Sequence, residues 1–327
     1  MRKLTLLLGA LLLSQPALAR EAVDSVGQNL TLPDRPLRVF ATIPPLTAFA
    51  LVVAPEAVVA LNRPPSAAER PYLPEAVPAL PVAGGWFGNG GGPNLEALVT
   101  LAPDLVLTEA EGPTADDAVE RLTPLGIKVA RLRWENLTET PALFRLLGTL
   151  LGRPERGEAL ARQSERMLAM LPSVPAASQP LVYFAQSADG LRSACGESVH
   201  LEVVRWAGGR PAVACPEGAA SRKGQRNLSL EQVIALAPDV IVSPDPGFAE
   251  TIRTDERWHQ VKALAEGRVY IAPDEPYGWL DRPPLFTRLI GALWLRQKLF
   301  GGDEAAFAQE RETFYRLFFN SPGPKLK

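Results

Sequence analysis

The segment 277–282 has the sequence YGWLDR, which gathers side chains suited to holding a small ligand. Aromatic rings offer rigid contact area, and an arginine guanidinium can grip an anionic oxygen with two parallel hydrogen bonds. We therefore predict ligand contacts at Tyr277, Trp279, Asp281 and Arg282. The alternative is structural: Trp279 would pack under the following helix, and Asp281 would pair with Arg282 or cap that helix.

A group of basic side chains, Arg192, Arg222, Lys223 and Arg226, falls in segments predicted as loops. An anionic chelate or an oxyanion would suit this group because its charge is opposite. Arg192 and Arg222 are the two predicted ligand contacts. A solvated basic loop is the alternative for each residue taken separately.

The segment 63–93 is rich in proline and glycine and is predicted to be one long loop. Loops of this length in compact proteins are usually functional or disordered. Trp86 and Phe87 could stack on a flat ligand, or their packing in the core could anchor the loop. We predict Trp86, Phe87 and Asn89 as ligand contacts, together with Pro45 after the first strand.

Signatures of catalysis and of direct metal binding are missing from the sequence. It has no GxSxG nucleophile elbow, no HExxH metal helix and no GxxxxGK phosphate loop. His200 and His259 fall outside the predicted cleft loops, and Asp116 and Asp117 fit an exposed helix face. We therefore predict no enzyme, no cofactor and no metal site, so that any metal would arrive inside a chelator.

An internal repeat shows how the chain positions these residues. Residues 94–107 (NLEALVTLAPDLVL) and 229–242 (SLEQVIALAPDVIV) align without gaps, and six of the fourteen positions are identical. The offset of 135 residues is too long for a solenoid, so the repeat predicts two similarly built α/β halves. Strands that alternate with helices predict mostly parallel sheets covered on both faces, with ligands at the carboxyl ends of the strands.

A continuous helical pattern between the halves predicts a stiff connector. We predict two Rossmann-like lobes, residues 37–152 and 174–327, joined by one long α-helix over 153–173. The ligand cleft lies between the lobes in this prediction. Because one helix bends less easily than paired strands, the lobes are expected to close only slightly on ligand binding.

The first residues have the pattern of a secretion signal. A positively charged N-terminus is followed by an apolar run over 4–13. The sequence Ala-Leu-Ala at 17–19 fits a cleavage site. We expect a signal peptide over 1–19, cleaved after Ala19, and then an irregular extension over 20–36. The mature protein would be a soluble periplasmic protein.

The net charge and the two cysteines further restrict the class of protein to which this sequence can belong. The formal charge is −2, from 34 basic and 36 acidic residues, which argues against a nucleic-acid binder because such proteins carry a basic surplus. In an oxidising compartment, Cys195 and Cys215 are expected to form a disulfide. Closing a loop of about 20 residues contributes roughly 3 kcal/mol in the chain-entropy account.

Taken in order, these features resemble the periplasmic binding proteins of ferric-siderophore, haem and cobalamin ABC importers. The shared order is a strand, a glycine-rich segment, NLExLxxLAPDLVL, a long helix, AGG at 207–209, SLEQVxxLAPDVIV and WxxxxAxxxGRVY at 258–270. The likeness covers residues 37–300. It is specific for the family and much less so for the ligand.

The resemblance implies a docking device. Glu96 and Glu231, at matching positions of the two repeats, would bind an inner-membrane ABC permease. Two exposed carboxylates far apart would orient and steer the complex more than they would tighten it. The alternative is that each is an ordinary first-turn glutamate favoured by the helix dipole.

The resemblance also implies a monomer that captures a metal chelate, similar to a ferric siderophore, and delivers it to the permease. GWxDxPP at 278–284 and RLIGxxWL at 288–295 resemble a branch with varied cargo. An oxyanion such as molybdate or tungstate, a nickel complex, haem and cobalamin therefore stay open as ligands. A sensor or chaperone of the same fold is the alternative of another class.

Overall fold

An antiparallel hairpin begins the part of the chain that the computed structural model describes, which comprises residues 19–34, 37–86, 92–216, 224–281 and 284–325. Strand β1 (Ala19–Val23) pairs with strand β2 (Asn29–Pro33), so the expectation of an irregular extension over 20–36 is wrong. Leu30 and Leu32 are buried while Asn29 and Thr31 are exposed, which is the period-two pattern of a half-buried strand.

The N-terminal lobe is a three-stranded parallel sheet in the order β3-β4-β5 with helices around it. Leu105 and Leu107 face one core cluster and Val106 faces another, so the sheet is covered on both sides. The elements are β3 (Val39–Ala41), α1 (Pro44–Val53), α2 (Leu95–Leu101), β4 (Leu105–Glu109), α3 (Pro113–Leu122), β5 (Lys128–Leu132) and α4 (Thr140–Leu150).

The connecting helix α5 (Pro154–Ala169) lies within the predicted range 153–173. It packs very closely on α4 at two glycines: a Cβ on Gly157 would lie 2.5 Å from the carbonyl oxygen of Phe144 and 2.8 Å from Cα of Gly148. Only glycine permits this approach, so α5 is fixed along the N-terminal lobe.

The C-terminal lobe is a four-stranded parallel sheet in the order β11-β10-β6-β8. Beside it, β7 and β9 form a short antiparallel pair. These two sheets and the N-terminal one confirm the predicted α/β architecture. The elements are β6 (Leu181–Phe184), β7 (Arg192–Ala194), α6 (Glu202–Trp206), β8 (Arg210–Pro211), β9 (Gln225–Asn227), α7 (Leu230–Leu236), β10 (Val240–Ser243), α8 (Gly247–Thr254), α9 (Lys262–Ala265), β11 (Val269–Ile271), α10 (Arg288–Phe300) and α11 (Glu304–Phe319).

The internal repeat extends to individual hydrogen bonds. Helices α2 and α7 end at alanines with left-handed backbone, φ 43° at Ala102 and φ 44° at Ala237. In the turn that follows, Asp104 accepts a hydrogen bond from the backbone N–H of Arg38 at 2.8 Å. Asp239 accepts one in the same way from Leu181 at 2.7 Å. Each aspartate thus ties its turn to the start of the neighbouring strand.

The two lobes share one apolar core. Its largest cluster contains residues of both sheets and of α5, α10 and α11. Phe286, just before α10, lies 5.1 Å from Phe49 of α1 and 5.6 Å from Phe144 of α4, measured between ring centroids. Among the described helices, none is long and apolar enough to cross a membrane.

The predicted disulfide between Cys195 and Cys215 is present, with the two Cα atoms 5.0 Å apart. Cys195 directly follows β7, and its backbone N–H donates to the carbonyl of Gly224 just before β9. The disulfide therefore ties the end of β7 to the segment that follows β8, and the backbone hydrogen bond ties it to the start of β9.

Candidate functional site

Loops at the carboxyl ends of the strands enclose a cavity of about 510 Å³ between the lobes. The N-terminal lobe contributes Pro45 after β3, Glu109 at the end of β4 and Trp134 after β5. The C-terminal lobe contributes His200 and Arg288. Of these, Pro45 was predicted as a contact, and the structure places it in the wall of the cavity.

A second cavity of about 360 Å³ also has walls from both lobes. Arg63 comes from the N-terminal lobe, while Gln186, Arg192, Tyr277 and Asp281 come from the C-terminal lobe. The structure thus brings three predicted contacts, Arg192, Tyr277 and Asp281, into one cavity. Burial raises the pKa of the Tyr277 hydroxyl further above neutral pH, and the protonated hydroxyl is a hydrogen-bond donor.

A hydrogen-bonded chain connects the two cavities. Nδ1 of His200 lies 2.6 Å from Oδ1 of Asp281, and Nε2 of Gln186 donates to Oδ2 of the same carboxylate at 3.0 Å. Because a carboxylate accepts, this contact places a proton on Nδ1 of His200. We name His200, Asp281 and Gln186 the bridging triad.

The expectation that His200 lies outside the cleft is wrong. The residues 199–201 form a tight 3-10 turn, and helix α6 begins only at Glu202. The turn directs the His200 side chain, which is 15% exposed, toward Asp281. His200 therefore belongs to the cavity wall and not to a helix surface.

Two predicted contacts are packing residues. Trp279 is fully buried, and its indole N–H donates to the hydroxyl of Tyr315 at 2.8 Å. Trp86 is buried in the core of the N-terminal lobe, and its indole N–H donates to Asp117. Neither side chain lines the two cavities, and both are packed in the way that the structural alternative expects.

Four predicted contacts lie outside the described residues: Phe87, Asn89, Arg222 and Arg282. They stay predictions. In the described part of the chain, no three His, Cys, Asp or Glu side chains are grouped so that they could hold a metal ion.

The two predicted docking glutamates occupy equivalent places. Glu96 is in the first turn of α2 and Glu231 in the first turn of α7, and both are exposed. A hydrogen bond from Ser229 lowers the pKa of Glu231. The structure agrees with a docking role and equally with an ordinary first-turn role.

Sequence reasoning missed Trp134, Arg63 and Arg288. Trp134 follows β5, so the rule that ligands sit at the carboxyl ends of strands could have found it. Arg63 belongs to a proline-rich loop with no helix or strand pattern to place it. Arg288 is the first residue of α10, and only the tertiary structure brings it 5.4 Å above the Trp134 ring.

Comparison with solved structures supports the two-lobed fold. A solute-binding protein of an ABC transporter from Sulfurospirillum deleyianum superimposes with a TM-score of 0.83 and 29% identity, covering 92% of this chain and 95% of that one. The molybdate-binding protein MolA from Haemophilus influenzae superimposes with a TM-score of 0.71 and 20% identity, covering 92% and 98%.

Sequence comparison points in the same direction. An uncharacterised ABC transporter substrate-binding lipoprotein of Bacillus subtilis, YvrC, is 22% identical over 188 residues, which is 55% of this chain. The match spans only 58% of that relative's own length. The family model for periplasmic binding proteins matches residues 55–276, which is more than half of the chain. This protein is therefore a member of the periplasmic binding protein family, whose members bind solutes and are not enzymes.

Proposed function

We propose that the protein captures a metal chelate between its two lobes in the periplasm and delivers it to an inner-membrane ABC permease. The observation that carries this proposal is the pair of cavities whose walls come from both lobes and meet at the bridging triad. Export, with removal of residues 1–19, is part of the proposal, as is the division into lobes at 37–152 and 174–327.

The charges around the cavities favour a chelate over a free oxyanion. The described residues that line them include seven carboxylates and four arginines. A compact free oxyanion would bring uncompensated negative charge into this surplus and would offer no hydrogen-bond donor to the carboxylates in return. In a metal chelate, the bound cation offsets the negative charge of the chelator. Haem, cobalamin, nickel complexes and molybdate are nevertheless the comparison ligands that a binding test has to include.

Native mass spectrometry of the protein purified from periplasm, followed by fluorescence titration with that panel, tests the proposal. Trp134 lines the cavity of about 510 Å³ between the lobes, so we expect the bound ligand to change its emission. A Trp134→Phe variant should lose most of the ligand-induced change. Trp258→Phe is the matched control, because Trp258 is buried in the C-terminal core beside Phe248. An equal ligand-induced fluorescence change in both variants, or no bound solute at all, would count against the proposal.

Delivery predicts that the docking glutamates matter for uptake and not for ligand binding. We expect Glu96→Ala and Glu231→Ala each to slow uptake severalfold, and the double variant to abolish it, because each carboxylate orients one lobe on the permease. The ligand Kd should stay unchanged in all three. Glu165→Ala is the control, since Glu165 is an exposed glutamate of the connecting helix α5. Normal uptake by the double variant would contradict the docking role.

A further inference from the structure

The second cavity contains polar groups whose hydrogen-bonding capacity is unmet. Oε1 of Gln186 is buried and has no partner in the described structure, although the residue is only 3% exposed. Nε of Arg192 is likewise buried without a partner. A buried polar group without a hydrogen bond costs about 1–3 kcal/mol, so both groups are suited to a ligand that satisfies them.

The orientation of the Gln186 amide is fixed by its neighbour. Asp281 accepts from Nε2 of Gln186 at 3.0 Å, and a carboxylate could not donate to Oε1 if the amide were turned around. The side-chain oxygen is therefore the atom left without a partner. Gln186 lines the second cavity, so a hydrogen-bond donor on a ligand bound there is the group that could satisfy this acceptor.

Arg192 lies beside Gln186 and offers the opposite chemistry. The backbone N–H of Gln186 donates to the carbonyl of Arg192 at 2.8 Å, which holds the two residues side by side at the entrance to β7. The Arg192 guanidinium forms no ion pair with the described residues, whereas Arg63 across the cavity is paired with Glu69. Tyr277 also lines this cavity, and its hydroxyl offers a further donor.

From this arrangement we infer that the second cavity binds a carboxylate whose neighbouring carbon carries a hydrogen-bond donor, free or as an arm of a chelator. Arg192 and Tyr277 hold the carboxylate oxygens, and Oε1 of Gln186 accepts from the neighbouring hydroxyl or ammonium group. A fully deprotonated oxyanion has no donor and leaves Gln186 unsatisfied. This inference rests on the proposed function and specifies the group that the cleft recognises.

Three acids on one carbon skeleton test the inference. L-Malate carries a hydroxyl at carbon 2, L-aspartate carries an ammonium group there, and succinate carries only hydrogen. A site built around an acceptor rejects the analogue that lacks the donor. With the intact protein, calorimetric titration should show malate or aspartate binding about tenfold or more tightly than succinate. Malate and succinate carry the same net charge, so their ratio isolates the hydroxyl as donor. The ammonium group of aspartate also cancels one negative charge, so its effect as a donor is the part of its affinity that depends on the Gln186 acceptor.

Two variants assign the effect to the proposed side chains. Gln186→Met keeps the length of the side chain and removes the acceptor. The ratio of the malate affinity to the succinate affinity should therefore fall close to one. Arg192→Gln should weaken the binding of all three acids and leave the ratio of their affinities unchanged. Thermal unfolding of each variant confirms that it folds.

The outcomes separate this inference from the proposed function. Equal affinities for the three acids in the unaltered protein, or no binding of any of them, overturn the inference. So does a native solute, identified by mass spectrometry, that lacks a carboxylate with a neighbouring donor. In that last case the capture of a solute between the lobes would still stand.

Discussion

Replacing Glu202 by alanine is expected to lower the free energy of unfolding by about 3–5 kcal/mol, because it removes one partner of a buried ion pair. The carboxylate lies 2.6 Å from the Arg288 guanidinium, and the two side chains are 9% and 1% exposed. Its other oxygen accepts from the backbone N–H of Leu137 in the N-terminal lobe at 2.7 Å. Glu202 thus joins the two lobes, and denaturant unfolding measures its contribution.

Glu197→Ala is the matched control for that experiment. Glu197 lies five residues earlier, its side chain is 90% exposed, and its contact with Arg205 is long, at 3.7 Å. An exposed and loosely paired glutamate should change stability by no more than about 0.5 kcal/mol. A similar loss of unfolding free energy in both variants would show that the buried ion pair stabilises the protein no more than an exposed one does.

The double variant Glu202→Leu with Arg288→Met separates charge from packing. Replacing both partners of a buried ion pair by apolar side chains is often neutral. We therefore expect the double variant to recover much of the stability that Glu202→Ala loses. Failure to recover would indicate that the hydrogen bond to Leu137, and not the ion pair, carries the stabilisation.

Features encoded by local periodicity or by the repeat could be predicted from the sequence. The duplicated segment predicted equivalent helices, and α2 and α7 match down to the left-handed alanine at each end. The rule that ligands sit beyond the carboxyl ends of strands placed Pro45, Arg192 and Tyr277 in the cleft walls. These features depend on contacts within one lobe or on strand direction.

Features that depend on distant contacts could not be predicted in this way. The burial of Trp279 needs Tyr315, which lies 36 residues later in α11. The position of His200 in the cavity wall needs Asp281, which is 81 residues away. The residues next to a tryptophan do not determine whether its side chain is exposed or buried. Only the tertiary structure distinguishes the two cases.

We expect Phe286 to restrain the movement of the two lobes. This ring is fully buried and contacts the N-terminal lobe through Phe49 and Phe144 and the last helix through Phe318, whose centroid is 5.2 Å away. Opening the cleft widely would expose this shared apolar surface to water at about 25 cal/mol per Å². Because the connecting helix is stiff as well, we expect the ligand to shift the lobes by only a few degrees.

Replacing Phe286 by alanine should therefore have two effects. The cavity it leaves is expected to lower the free energy of unfolding by about 3–5 kcal/mol. With the core between the lobes weakened, small-angle scattering should show a larger compaction on ligand binding than the unaltered protein shows. Phe300→Ala is the control, because Phe300 is 44% exposed at the end of α10. A large compaction of the unaltered protein would mean that the shared core does not restrain the lobes.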